Sequence, residues 1–152
     1  MQTRRNALKH TAVVAGLLAS TGLFPQFAFA FNKSAFDAKS VADALKALGA
    51  SGALTESKDV SVTAPDIAEN GSVVPVGVAT TLAGVKTLLI MVEKNPATLT
   101  ALFNVTESVE PAFQARVKMG QSSDVYAIAI MNDGKVLFAK KEVKVTLGGC
   151  GG

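Results

Sequence analysis

Val125-Tyr126-Ala127-Ile128-Ala129-Ile130-Met131-Asn132-Asp133-Gly134 is the stretch that decides the fold. Seven apolar, β-branched or aromatic residues run into Asn132-Asp133-Gly134, whose short polar side chains and glycine supply the backbone conformations of a hairpin turn. A partner strand begins at Lys135 and reaches Leu147, either as one strand or bent or split on the way. Along its end, Val143, Val145 and Leu147 alternate with Lys144 and Thr146, the period of two that marks a strand.

Moving toward the N-terminus, the same signal repeats. Phe113–Met119 and Leu99–Val105 read as strands. Val85–Val92 is a nearly continuous apolar run, as expected for a strand buried on both sides. Val74, Val76 and Val78 alternate up to about Thr80, and Val60 and Val62 alternate with Ser61 and Thr63. Before them the period lengthens. Residues 34–48 read as a helix, with Phe36, Val41, Ala44, Leu45 and Leu48 on one stripe, Ser34 as N-cap and Gly49 as the stop. Residues 49–57 read as a loop. About seven short strands separated by turn signals predict an all-β chain: an immunoglobulin-like antiparallel sandwich preceded by an N-terminal helix. It lacks the Cys-Trp-Cys core of antibody domains, because the chain has one cysteine and no tryptophan. The Glu93-Lys94-Asn95-Pro96 turn and the pair Lys140-Lys141 read as solvated surface.

The first thirty residues have a different composition. Arg4, Arg5 and Lys9 precede an apolar run from Ala12 to Leu18, and Ala28-Phe29-Ala30 gives a small-x-small cleavage pattern at Ala28 and Ala30. The apolar stretch is shorter than the ~20 residues of a membrane span, so an export leader is expected over 1–30, with no membrane anchor after cleavage. Thr3-Arg4-Arg5-Asn6-Ala7-Leu8-Lys9 resembles the twin-arginine signal S/T-R-R-x-F-L-K, with Ala7 in place of the usual Phe. Such signals are addresses rather than anchors, and the expected destination is the periplasm. The leader holds three of the 15 bases and none of the 12 acids, so the mature chain balances at 12 of each. That balance offers no basic face for nucleic acid.

The only histidine, His10, lies in the leader. The mature chain therefore cannot build a Ser-His-Asp triad, a Cys-His pair or a histidine-rich metal site. No cofactor and no metal are expected. A lone cysteine in an oxidising compartment pairs with another molecule or is kept for chemistry. That cysteine is Cys150, within Gly148-Gly149-Cys150-Gly151-Gly152. Four flanking glycines leave its sulfur sterically bare, and a glycine-rich segment behaves as a flexible coil. Following a strand fixed in the sheet, residues 148–152 read as an arm that reaches ~15–18 Å when extended. Nothing in the pentapeptide lowers the thiol's pKa, so activation would come from whatever protein receives it.

Gly148-Gly149-Cys150-Gly151-Gly152, the twin-arginine leader and the single-domain mature chain together resemble the SoxY family of bacterial sulfur-oxidising systems. The resemblance implies a sulfur carrier, itself no enzyme, with Cys150 as the point of covalent attachment and Gly148, Gly149, Gly151 and Gly152 as its arm. It further implies a partner subunit of the SoxZ type, with a related immunoglobulin-like fold. A c-type haem enzyme would join thiosulfate to the cysteine, a hydrolase would release sulfate, and a sulfur dehydrogenase would act on what remains. Two other readings of the same residues stand beside it. In one, Gly151-Gly152 is the end of a ubiquitin-like carrier that forms a thiocarboxylate, a chemistry that needs ATP. In the other, the chain is a periplasmic binding module whose cysteine only forms an intermolecular disulfide.

Overall fold

The computed structural model describes residues 32–147. The elements in chain order are helices α1 (Lys33–Phe36) and α2 (Val41–Ala47), then β1 (Leu54–Glu56), β2 (Val60–Thr63), β3 (Ile67–Ala68), β4 (Val74–Thr80), β5 (Val85–Val92), β6 (Leu99–Asn104), β7 (Ala112–Val117), β8 (Ser123–Met131) and β9 (Val136–Val145). Arg4, Arg5, Ala28 and Ala30 of the expected leader lie outside the described residues, as do Cys150 and its glycines Gly148, Gly149, Gly151 and Gly152.

β5 is the keel. Successive side chains of a strand point to opposite faces, and here both faces are covered. Leu88, Ile90 and Val92 enter the core between the sheets with Val74, Val76, Val78, Val117, Val125, Ala127 and Ala129. Leu89 and Met91 point the other way, into a second core with Ala44 and Leu45 of α2, Leu99, Ile128 and Val136. The large sheet, in the order β1-β9-β8-β5-β6, is therefore the middle layer, with the small sheet β2-β4-β7 on one face and the helices on the other. The all-β, immunoglobulin-like reading holds, and a strand buried on both sides falls on Val85–Val92 as the apolar run predicts.

Asn132-Asp133-Gly134 forms the hairpin loop. The Gly134 N–H donates to the Met131 carbonyl at 3.1 Å, and the Met131 N–H donates to the Lys135 carbonyl at 2.9 Å. Gly134 has φ +87°, which an L side chain disfavours. β9 then continues for 10 residues as one strand, without a split.

Three expectations are corrected. The single helix over 34–48 is two. Asn32, rather than Ser34, caps α1 by accepting from the Ala35 N–H, and Ser34 donates its hydroxyl to the Asn32 side chain. The break falls at Ala38 because the Ala38 carbonyl accepts from the Thr98 N–H at 3.0 Å, which ties the chain to the head of β6. Ser40 then starts α2 by accepting from the Asp43 N–H. Gly49, with φ +73°, ends α2 as expected: Gly49 N–H and Ala50 N–H close back onto the carbonyls of Lys46 and Leu45.

Second, the loop over 49–57 contains β1, and the stretch after β2 contains β3. Both pair with β9, and both pairings are parallel, Leu54–Glu56 against Val136–Phe138 and Ile67–Ala68 against Lys144–Val145. The sandwich is thus antiparallel except along this one edge. The chain leaves the large sheet after β1, places β2 in the small sheet and returns as β3, so β9 is flanked in two instalments. Third, β9 ends at Val145 rather than Leu147.

Candidate functional site

The last described residues are the root from which residues 148–152 continue, and the chain holds them on both sides. On the β8 side, the Val145 N–H donates to Ser122 Oγ at 2.9 Å. On the β3 side, the Lys144 N–H donates to the Asp66 carbonyl (2.9 Å) and the Thr146 N–H to the Ala68 carbonyl (3.1 Å). The Thr146 hydroxyl donates to the Glu69 carbonyl at 3.0 Å. Finally the Gly71 N–H donates to the carbonyl of Leu147 at 2.8 Å, while the Gly71 carbonyl accepts from the Met119 N–H at 2.7 Å. Residues 66–71 thereby form a strap across the end of β9.

A lysine ties down the head of this strap. Lys141 Nζ donates to the Ala64 carbonyl at 2.6 Å and pairs with Asp66 Oδ1 at 2.9 Å. The hydrogen bond from Lys141, helped by its charge, holds the Asp66 carboxyl below its usual pKa. On the other side of the root, Asn95 bridges two loops: its Nδ2 donates to the Lys118 carbonyl (2.7 Å), and its Oδ1 accepts from the Gly120 N–H (3.3 Å). The Lys94 N–H donates to Ser123 Oγ at 3.0 Å. The turn at residues 93–96 and the pair Lys140-Lys141 lie at the surface as expected, with Asn95 and Lys141 half-buried, and they also make specific contacts there. Lys140 pairs with Asp124 at 2.7 Å and lies 5.7 Å from the Tyr126 ring centre, so it too is occupied.

Alternation along residues 143–147 predicts Leu147 to face inward with Val143. Val143 is fully buried, but Leu147 is 69% exposed, because pairing in β9 stops at Val145 and the chain bends at Thr146. Sequence reasoning missed the strap altogether. A strand of two residues between Pro65-Asp66 and Glu69-Asn70-Gly71 has no periodicity to detect.

The described residues hold no cluster of three or more His, Cys, Asp or Glu side chains that could bind a metal. A groove of about 580 Å³ lies on the outer face of the small sheet, lined by Thr63, Pro75, Gly77, Gln114 and Arg116 among others. Arg116 is the one titratable side chain in that lining.

What these elements define is an immunoglobulin-like sandwich whose final strand is fastened at its end, five positions before the glycine-flanked cysteine in the sequence. The family model of the sulfur oxidation protein SoxY matches residues 45–150, and the chain belongs to that family. Among solved structures it is similar to the sulfur carrier protein SoxY from Chlorobium limicola f thiosulfatophilum, at 34% identity and TM-score 0.63, over 70% of this chain and 96% of that one. It also resembles a superoxide reductase (neelaredoxin) from Ignicoccus hospitalis, at 20% identity and TM-score 0.50, over 66% of this chain and 86% of that one, a likeness of fold alone. No curated protein matches the chain.

Proposed function

We propose that the chain is a periplasmic sulfur carrier that holds thiosulfate-derived sulfur covalently on Cys150 and presents it to separate enzymes. The observation that carries this reading is the SoxY family match, which runs to residue 150 and so includes the cysteine. The likeness to a solved sulfur carrier over 96% of that protein supports it. The fastened root adds a physical rationale, since an anchored strand gives the thiol a fixed origin.

The chemistry divides between this chain and its partners. The Cys150 thiol loses its proton, and its sulfur bonds to the outer sulfur of thiosulfate. This makes a cysteine S-thiosulfonate and releases two electrons, which a c-type haem enzyme accepts. A hydrolase then adds water across the bond to the sulfonate sulfur, which releases sulfate and leaves a persulfide on Cys150. A sulfur dehydrogenase oxidises that remaining sulfur. This chain supplies the bare sulfur and its placement; each partner supplies its own base and its own redox centre. A SoxZ-type immunoglobulin-fold subunit accompanies the carrier, and both leave the cytoplasm by the twin-arginine route, directed by Arg4 and Arg5 and ended by cleavage after Ala30.

Replacing the thiol tests the assignment. Cys150→Ser is expected to abolish thiosulfate-dependent electron release in a reconstituted system while leaving the thermal midpoint unchanged. Normal turnover by that variant would overturn the assignment.

A further inference from the structure

Among the asparagines of the chain, Asn70 alone is followed by a glycine. The pair matters because a backbone nitrogen can attack the side-chain amide carbon of the asparagine before it. Glycine, with no side chain, leaves that approach unobstructed. The other asparagines among the described residues are poorer candidates. Asn95 precedes Pro96, which has no N–H, and Asn104 precedes the β-branched Val105. Asn32 and Asn132 precede Lys33 and Asp133, whose side chains crowd the attack. Asn70 is exposed on the strap, and its Oδ1 accepts from the Ser72 N–H at 2.8 Å. That donor draws charge from the amide carbon and stabilises negative charge developing on the oxygen. The attacking nitrogen, by contrast, is tied down. The Gly71 N–H donates to the Leu147 carbonyl at 2.8 Å, and the Gly71 carbonyl accepts from the Met119 N–H at 2.7 Å. Gly71 itself is buried. One member of the reacting pair is open and polarised, while the other is held by the end of the last strand.

We propose that Asn70 is a site of spontaneous deamidation, gated by the hydrogen bond between Gly71 and Leu147. The inference stands apart from the carrier reading, since it needs only the strap. When the strap opens, the Gly71 nitrogen gives its proton to solvent base and bonds to Asn70 Cγ. The bond from Cγ to the side-chain nitrogen breaks, and ammonia leaves. The resulting five-membered succinimide takes up one water, which opens it at either carbonyl to an aspartate or an isoaspartate. Water enters, ammonia departs, and nothing is oxidised or reduced. The isoaspartate has one more backbone carbon between residue 70 and Gly71. That carbon lengthens the chain by about 1.5 Å, more than the ~0.5 Å range over which N–H···O distances remain favourable. Gly71 then no longer meets both Leu147 and Met119 as it does in the strap. The modification unfastens the end of β9 permanently, and its rate reports how often that end opens.

The purified protein and its Thr146→Val variant are incubated side by side at mildly alkaline pH, both folded and in concentrated guanidinium chloride. Peptide mass locates the deamidation, and amide exchange of the folded samples measures how often Gly71 opens. The folded wild type is expected to convert Asn70 at least ~10-fold more slowly than the denatured chain, yet ahead of every other described asparagine. Thr146→Val removes the hydroxyl that donates to the Glu69 carbonyl. It is expected to speed conversion in the folded protein about twofold, by the same factor as Gly71 protection falls, while the two chains match in denaturant. The isoaspartate form is expected to show an unprotected Gly71 amide. Equal rates in the folded and denatured wild type overturn the gate. So does a rate in the variant that departs from its Gly71 opening. Conversion of another asparagine first overturns the choice of Asn70. The wild-type comparison decides the gate whether or not the variant folds well.

Discussion

β5 and the end of β9 are built from the same kinds of residue and do opposite things. In β5, Leu88, Leu89, Ile90, Met91 and Val92 are all completely buried, because the small sheet covers one face and the helices cover the other. Six residues beyond the centre of β9, Leu147 stands in solvent, and Ile67 on the strap is likewise exposed. The difference lies in what surrounds them rather than in hydrophobicity. One region spends its apolar surface on holding the molecule together. The other keeps it uncovered at the point where the chain continues to Cys150.

That contrast can be broken most sharply in the middle. Leu89→Ala removes a side chain enclosed by Leu45, Met91, Leu99 and Ile128 of the same cluster. The expected loss of stability is ~2–5 kcal/mol, measured by denaturant unfolding. Ser substitutions at Ile67, Val73 and Leu147 are expected to leave stability within about 0.5 kcal/mol. Comparable losses in the two sets would show that the root is as packed as the keel.

The fastening of the root comes next in size. Thr146→Val deletes the hydroxyl that donates to the Glu69 carbonyl. A hydrogen bond of this kind contributes ~0.5–1.5 kcal/mol, and its exposure places it at the low end. The sharper readout is local: amide exchange at Gly71 should accelerate while exchange in β5 stays as it was.

The smallest effect is electrostatic. The Lys141 partner lowers the Asp66 pKa in the fold. The tie between Asp66 and the lysine is therefore fully present above the ordinary carboxylate pKa and is lost as pH falls through the depressed one. Asp66 is an exposed group, so the expected signature is a lower protection factor for the Lys144 amide in acid, relative to its intrinsic exchange rate at the same pH, and little change in overall unfolding. Acidification that leaves the strap's protection untouched would remove Lys141 from its role there.

The same contrast explains what could be read in the sequence. β5 was legible because eight residues with a single exposed charge, Lys86, admit few other structures. The hairpin at Asn132-Asp133-Gly134 was legible because its turn chemistry is local. β1 and β3 were not, since each is a few residues long and exists only because β9 offers an unoccupied edge. The break between α1 and α2 depends on a hydrogen bond to Thr98, some sixty positions away, which no local pattern reveals. For the candidate site, Cys150 announced itself as the only cysteine, set among glycines. The outward turn of Leu147 did not. The alternation of Val143, Val145 and Leu147 points all three inward, and only the end of pairing at Val145 turns Leu147 out.

The central claim is that Cys150 carries sulfur, and the intact mass of the mature protein purified from cells oxidising thiosulfate tests it most directly. The account predicts an added mass of sulfur or thiosulfonate that reduction removes and that maps to the peptide containing Cys150. A bare thiol, or only a disulfide-linked dimer, in cells that are consuming thiosulfate would contradict it and favour a binding module cross-linked through its one cysteine.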